Sequence, residues 1–119
     1  MSPVGVTLYG IPNCDTVKKA RAWMAAHGVT YRFHDFKREG VPVDALRQWL
    51  AAVGHERLVN RKGTAWRGLS DAQRDAVIDD TSAAELLVAQ PSVIKRPVVA
   101  WADGRLTVGF DASAWAAAR

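Results

Sequence analysis

Apolar and polar residues follow two different periods along the first third of the chain. Residues 4–9 (VGVTLY) are rich in strand formers and are followed by a turn cluster at 10–13 (GIPN). Apolar residues recur at helical spacing over 15–27, and residues 29–36 then alternate between apolar and polar. The pattern predicts a strand, a helix and a second strand, and the short joints favour a right-handed unit with parallel strands.

The middle of the chain predicts a helical insert at about residues 41–91. Residues 37–44 are typical of a linker, and a helical stripe follows over 43–53. Residues 58–69 lack a clean period and carry basic residues, which predicts a loop.

Two capping-box patterns lie in the second half of this insert. Ser70 with Gln73, and Ser82 with Glu85, have the spacing at which two side chains satisfy the first backbone N–H groups of a helix. Two short helices are therefore expected, and Pro91 ends the second.

The end of the chain predicts a hairpin and a closing helix. Residues 98–101 and 105–110 are separated by an Ala-Asp-Gly turn, and Asp111 can cap a helix over 112–119. The whole order is β-α-β, a helical insert, then β-β-α. We expect a single α/β domain over residues 1–119 with a four-stranded mixed sheet.

The composition fits one globular domain. With 119 residues, 49% of them hydrophobic, the chain can bury a core. Its formal net charge of +4 suits an anionic partner but is far from a polybasic nucleic-acid surface. The first residues lack a signal-peptide pattern, and no apolar run approaches the ~20 residues of a bilayer span, so a soluble cytoplasmic protein is expected.

One cysteine, Cys14, falls at the predicted start of the first helix. Without a second cysteine it is either a small core residue or a reactive thiol. A thiol is nucleophilic only as the thiolate, and the unpaired N–H groups and positive end of a helix N-terminus favour that anion. Lys18, one turn further on, can support the charge. The position favours a reactive thiol.

Two arginines are candidates for an anion-binding pocket around this thiol. Arg96 precedes Pro97 at the start of the third strand, where a cis bond would fix a turn and aim the guanidinium at the thiolate. Arg61 in the NRKG segment is the other candidate. A solvated surface position is the commoner situation for a single arginine, and proline is ordinary at a strand start.

The three histidines show no metal-ligand spacing, and no metal site is expected. His34 could serve as a base, but we expect it to be a packing or surface residue on a strand leading away from the Cys14 edge.

Three separated segments, LYGIPNCDTVKKARAWM, LVNRKGTAWRGL and QPSVIKRPVV, resemble in this order the arsenate reductase-like (ArsC/Spx) family of the thioredoxin fold, and within it the YffB subgroup. The resemblance covers nearly the whole chain and implies a thioredoxin-like fold. It also implies Cys14 as the nucleophile, Arg61 and Arg96 as anion-binding residues, and Pro97 as a structural cis-proline. Lys18 joins the two arginines as an expected substrate- or glutathione-binding residue.

Two positions depart from the pattern of the resembling proteins. Arsenate reductases carry a further arginine in the last strand, where this chain has Val108, and Arg105 lies two or three residues too early. Val17 stands where a C-x-x-C motif has its second cysteine, so no intramolecular disulfide can form. We therefore expect a glutathione-linked monothiol reductase whose Cys14 adduct is resolved by an external thiol.

The resemblance implies a bacterial oxidoreductase with glutathione as its expected co-substrate, and glutaredoxin is a candidate partner. Two alternatives stay open. An arsenate reductase would differ only in the electrophile, and an Spx-like transcription-related module would contact RNA polymerase through its surface. No membrane contact or direct nucleic-acid binding is expected.

Overall fold

The computed structural model describes residues 5–118. Residues 1–4 and 119, which include the start of the first predicted strand and the end of the last predicted helix, lie outside this range. The described strands are Val6–Gly10 (β1), Tyr31–Asp35 (β2), Val98–Ala100 (β3) and Leu106–Val108 (β4). The described helices are Asp15–Ala26 (α1), Phe36–Glu39 (α2), Val43–Val53 (α3), His55–Leu58 (α4), Thr64–Arg67 (α5), Asp71–Asp75 (α6), Asp80–Ala89 (α7) and Ala112–Ala118 (α8), with a 3₁₀ turn at Pro91–Val93. Within residues 5–118, no helix combines the length and apolar character needed to cross a bilayer.

The sheet is mixed and four-stranded, as the sequence predicted. Its order is β2-β1-β3-β4, with β1 parallel to β2 and antiparallel to β3, and with β3 antiparallel to β4. The carboxyl ends of β1, β2 and β4 and the amino end of β3 therefore meet at one edge. This edge is called the cysteine edge below, and it comprises Gly10, Asp35, Pro97 and Val108 with the segment from Gly10 to Cys14.

The chain divides into two compact units. The sheet unit comprises the described residues up to Glu39 and from Arg96 onward, and it contains the four strands with α1, α2 and α8. The helical unit is Gly40–Lys95. Cys14, Lys18, Arg96 and Pro97 belong to the sheet unit, and Arg61 belongs to the helical unit.

The sheet unit buries the apolar stripe of α1. Val17, Ala20 and Met24 recur at helical spacing, and each has no exposed surface (0%). Burying a side chain of the size of Val17 or Met24 contributes about 1.5–3 kcal/mol. The stripe that predicted this helix is therefore the surface that holds it on the sheet.

A tryptophan cluster attaches α8 to the sheet unit. The Trp115 ring meets Trp23 and Trp101 edge to face, with ring centres 5.2 and 5.0 Å apart. Asp111 Oδ1 accepts a hydrogen bond from the Ala114 N–H at 3.1 Å. The cap predicted for the closing helix is confirmed.

The helical unit is built on the packing of α3 against α7. α3 buries Leu46, Trp49 and Leu50, and α7 buries Ala83 and Leu87. The stripe over residues 43–53 thus marks the buried face of α3.

Two segments predicted to lack secondary structure contain helical turns. α2 covers Phe36, predicted as the end of the second strand, and the first three residues of the predicted linker. Asp35 Oδ1 accepts a hydrogen bond from the Lys37 N–H at 2.9 Å and caps that turn. The predicted loop at 58–69 contains α5. Both turns are only four residues long, too short to show a helical period.

One of the two predicted capping boxes is confirmed and the other is shifted. Ser70 and Gln73 form the expected box at α6. At α7 the N-cap is Asp79, whose side chain accepts a hydrogen bond from the Ser82 N–H at 2.9 Å, while Ser82 Oγ accepts one from the Asp79 N–H at 3.1 Å. Ser82 is thus the third helical residue of α7 and not its cap.

Gly10 marks a close approach of β1 to α1. A Cβ at this position would lie 2.9 Å from Val17 Cγ2, inside the range that real Cβ atoms avoid, and Val17 is fully buried. We expect Gly10→Ala to lower the free energy of unfolding by about 1–3 kcal/mol, the usual cost of overpacking a core. Urea denaturation measures this change.

The matched control is Gly68→Ala. Its Cβ would lie 3.4 Å from the Thr64 carbonyl oxygen, and its φ of −78° suits alanine. The free energy of unfolding should stay within about 0.5 kcal/mol of the wild type. Equal effects of the two substitutions would contradict the close approach of Gly10.

Candidate active site

Cys14 is the N-cap residue of α1. Its backbone is extended (φ −142°, ψ 124°), and its carbonyl accepts a hydrogen bond from the Lys18 N–H at 2.9 Å. Its side chain makes no capping hydrogen bond. Serine, aspartate or asparagine at this position would direct an oxygen to the first N–H groups of the helix. In this chain a thiol stands beside those N–H groups.

Cys14 contacts apolar core residues, and the charged residues in the first turn of α1 are exposed to solvent. Cys14 is half-buried and packs against the core cluster of the sheet unit. Asp15 and Lys18 are exposed, and their opposite charges are screened by water. The thiol thus lies where the core of the sheet unit meets the exposed side of the first turn of α1.

Arg96 and Pro97 lie at the cysteine edge, immediately before β3. The peptide bond between them is cis, Pro97 is buried, and its carbonyl accepts a hydrogen bond from the Gly109 N–H at 2.8 Å. Because β3 pairs with β1, this step lies beside the end of β1 that leads to Cys14. The sheet thus brings a half-buried arginine to the same edge as the thiol.

The β4 side of the cysteine edge carries an apolar residue. Val108 is half-buried and lies opposite Val98. Arg105 lies at the other end of β4, where its Nε donates a hydrogen bond to Asp103 Oδ2 at 2.5 Å. Arg105 is therefore held at the hairpin turn, away from the cysteine edge.

Arg61 lies in a turn of the helical unit. The Asn60 N–H donates to the Val93 carbonyl at 2.8 Å, and the Gly63 N–H donates to the Asn60 carbonyl at 3.2 Å. A Cβ at Gly63 would lie 2.7 Å from Asn60 Nδ2, so the Asn60 side chain packs directly against this glycine. The Arg61 Cζ atom lies 5.3 Å from the centre of the Trp66 ring, within cation–π range. The turn thus holds a half-buried guanidinium against an aromatic ring.

The expectation that His34 leads away from the Cys14 edge was wrong. Because β2 is parallel to β1, His34 lies beside Tyr9 and near the cysteine edge. The His34 ring centre is 5.0 Å from that of Tyr9 and 5.9 Å from that of Phe36, and burial raises the pKa of Tyr9 above its ordinary value. Gly10 faces α1, so Tyr9 points to the opposite face of the sheet. His34 packs with it there, and the parallel pairing was the signal that could have placed it.

Glu39 ties α2 to the end of β2. Its Oε2 accepts a hydrogen bond from the Asp35 N–H at 3.1 Å, and its Oε1 accepts one from Arg32 Nη2 at 3.3 Å. His34 Nδ1 is 3.8 Å from Glu39 Oε1. The hydrogen bond from Asp35, more than these charges, lowers the pKa of Glu39 below its ordinary value. The folded chain therefore favours the ionised form of this carboxylate.

Glu39→Gln should destabilise the protein at neutral pH and not at low pH. A carboxyl group whose folded-state pKa is lowered contributes its full stabilisation above its unfolded pKa, and that contribution is lost as the pH falls through the folded pKa. The difference in free energy of unfolding between wild type and variant should therefore disappear between about pH 7 and about pH 3. Urea denaturation at both pH values measures it, with Glu56→Gln as the control at an exposed position on α4. A difference that is the same at both pH values would contradict this role.

The sheet unit thus brings one cysteine and the Arg96–Pro97 step to a common edge, with Lys18 one turn along α1. A thiolate in this position can attack a sulfur or another electrophile and form a covalent adduct. Within residues 5–118, no group of three or more His, Cys, Asp or Glu side chains is arranged to hold a metal ion.

The chain is similar to known proteins over most of its length. The family model described as "ArsC family" matches residues 9–118. The solved structure of a YffB protein is 50% identical, with 95% of this chain and 97% of that chain covered and a TM-score of 0.88. The solution structure of an arsenate reductase (ArsC) related protein from Brucella melitensis is 47% identical, with 98% and 96% covered and a TM-score of 0.75. The global transcriptional regulator Spx of Lactiplantibacillus plantarum is 28% identical over 108 residues, which are 89% of this chain and 80% of that protein.

Proposed function

The chain belongs to the ArsC family, and we propose that it is a glutathione-linked monothiol reductase within that family. The family and the thioredoxin-like fold are those that the sequence predicted, and ArsC-related neighbours suggest a thiol-dependent oxidoreductase. The observation that carries the proposal is the position of Cys14, the N-cap of α1 at the edge that also carries the Arg96–Pro97 step.

In the proposed reaction the Cys14 thiolate attacks the glutathione sulfur of a mixed disulfide, R–S–S–G. A bond forms between Cys14 Sγ and that sulfur, the S–S bond of the substrate breaks, and R–S⁻ leaves and takes a proton from water. The thiolate of a second glutathione then attacks the adduct, which releases oxidised glutathione and restores the Cys14 thiolate. The net reaction converts R–S–S–G and reduced glutathione into R–SH and oxidised glutathione.

The chain's cysteine count supports an external resolving thiol. Cys14 is the only cysteine in the sequence, and Val17 occupies the position of the second cysteine of a C-x-x-C motif. Glutathione is abundant in the reducing cytoplasm, where we place the protein, and glutaredoxin is a candidate partner for recycling.

Three cations are proposed to hold the negative charge of this reaction. Arg96 would bind a carboxylate of glutathione, because a guanidinium can pair with it through two hydrogen bonds. Lys18, one turn along α1, would bind negative charge on the substrate or on glutathione. Arg61, in the helical unit, is the third proposed anion-binding residue. Pro97 would shape the turn that carries Arg96.

Arsenate reduction is the second candidate, favoured by the 47% identity to the Brucella protein. Against it stand the apolar Val108 at the cysteine edge and the pairing of Arg105 with Asp103 at the opposite end of β4. Fewer guanidinium groups weaken a site for a multiply charged oxyanion more than a site for one carboxylate. An Spx-like protein-binding role is the third candidate, favoured by the 28% identity to Spx.

A steady-state assay with a glutathionylated peptide and reduced glutathione tests the proposal. Cys14→Ser should lose peptide deglutathionylation by about 100-fold or more, because its hydroxyl cannot form the mixed disulfide. Lys18→Gln should lower kcat/KM by about two- to fivefold, the range expected for one exposed charge. Lys19→Gln, also exposed on α1, is the matched control and should leave kcat/KM unchanged.

Turnover that persists in Cys14→Ser would overturn the proposal. Arsenate reduction with glutathione and glutaredoxin that is faster than peptide turnover would favour the arsenate reductase. Recovery of RNA polymerase with both wild type and Cys14→Ser, in the absence of peptide turnover, would favour the Spx-like role.

A further inference from the structure

A groove between α3 and α7 in the helical unit is not used by the proposed reaction. Its volume is about 620 Å³. α3 contributes Val43, Arg47 and Leu50 to its lining, and α7 contributes Thr81, Ala84 and Val88. Each set recurs at spacings of three and four residues, so each helix presents one stripe to the groove.

The groove also carries exposed apolar surface. Among the described residues, the large hydrophobic side chains that are more than a third exposed are Val43 (41%), Ile78 (76%) and Val88 (42%). Two of these three line the groove, and contiguous exposed apolar surface marks a binding site more often than scattered side chains do.

The two stripes run in opposite directions along the groove. His55, two residues after α3, contacts the first residue of α7: its N–H and its Nδ1 lie 3.1 and 3.0 Å from Asp80 Oδ1. The end of α3 therefore lies beside the start of α7, which leaves Val43 and Val88 toward the other end. Ala51 is the last residue of α3 that lines the groove. At a rise of 1.5 Å per residue, the lining from Val43 to Ala51 is about 12 Å long, or about two helical turns.

The walls of the groove carry opposite charges. Arg47 lines it from α3, Asp80 and Glu85 line it from α7, and all three are exposed. A helix lying between them would meet a cation along one edge and a carboxylate along the other. An apolar groove about two turns long with charged walls fits the binding of an amphipathic helix by its apolar stripe.

We propose that the α3–α7 groove binds an amphipathic helix of a partner protein, with an apolar stripe between an acidic edge that faces Arg47 and a basic edge that faces Glu85. The groove lies wholly within Gly40–Lys95, and the proposal does not depend on the chemistry of Cys14.

Titration of the full-length protein with synthetic helical peptides tests this proposal. One peptide has a leucine stripe with glutamates along one edge and lysines along the other, and the second has glutamates along both edges. The wild type should bind the mixed-edge peptide at least about fivefold more tightly, and Glu85→Lys, which places a cation on the α7 wall beside the remaining Asp80, should lower this preference. Amide chemical shifts recorded by NMR should move in α3 and α7.

Exposed side chains supply the matched variants. Val43→Asn combined with Val88→Asn should weaken binding of the mixed-edge peptide by about tenfold, because both substitutions remove apolar contact from the groove. Ile78→Asn, which changes a more exposed side chain that does not line the groove, should leave the affinity unchanged.

Three results would overturn the proposal. They are shift changes located outside α3 and α7, equal affinities for the two peptides, and equal effects of the groove variant and Ile78→Asn. Self-association of the protein that the groove variant abolishes would assign the groove to a second copy of this chain instead of to a partner helix.

Discussion

The pairing of β1 on both of its sides is the interaction on which the position of Cys14 depends. β1 is hydrogen-bonded to β2 on one side and to β3 on the other, so both ends of this strand are fixed. Gly10, its last residue, lets α1 approach closely at Val17, and α1 begins at Asp15. The same pairing brings the start of β3, with the Arg96–Pro97 step, beside the end of β1. The thiol and the arginine reach a common edge because the central strand holds both.

The elements that the sequence predicted well are those with a long local period. α1 and α3 each present an apolar stripe over about three turns, and a glycine follows each of them within two residues. The sequence could not separate two overlapping caps at α7, because Asp79 with Ser82 and Ser82 with Glu85 both have the required spacing. In the structure α7 begins earlier than predicted, at Asp80, and the Asp80 side chain contacts His55. These two residues are far apart in the sequence, so a local pattern does not reveal their contact.

At the candidate site, too, the sequence predicted what depends on a local pattern, and it missed the place of His34, which depends on strand pairing. The position of Cys14 follows from a local pattern, a strand and a turn before a helix. The sequence placed it at the start of α1, and the structure makes it the N-cap residue. Strand register decides whether His34 and Arg105 lie near the cysteine edge, and register pairs residues that are distant in the sequence. Parallel pairing brings His34 to the cysteine edge, and antiparallel pairing carries Arg105 away from it. The register thus keeps Arg105 out of the cysteine edge, and it places the His34 ring near that edge beside Tyr9.

The central claim is that Cys14 acts as a single nucleophile whose adduct is resolved from outside. Mass spectrometry of the intact protein after incubation with oxidised glutathione tests it most directly, together with the rate of alkylation by iodoacetamide at neutral pH. The account predicts one glutathione per chain, located at Cys14 and removed by reduced glutathione, and alkylation faster than that of free glutathione under the same conditions. A chain that forms no adduct and is alkylated no faster than free glutathione would contradict it.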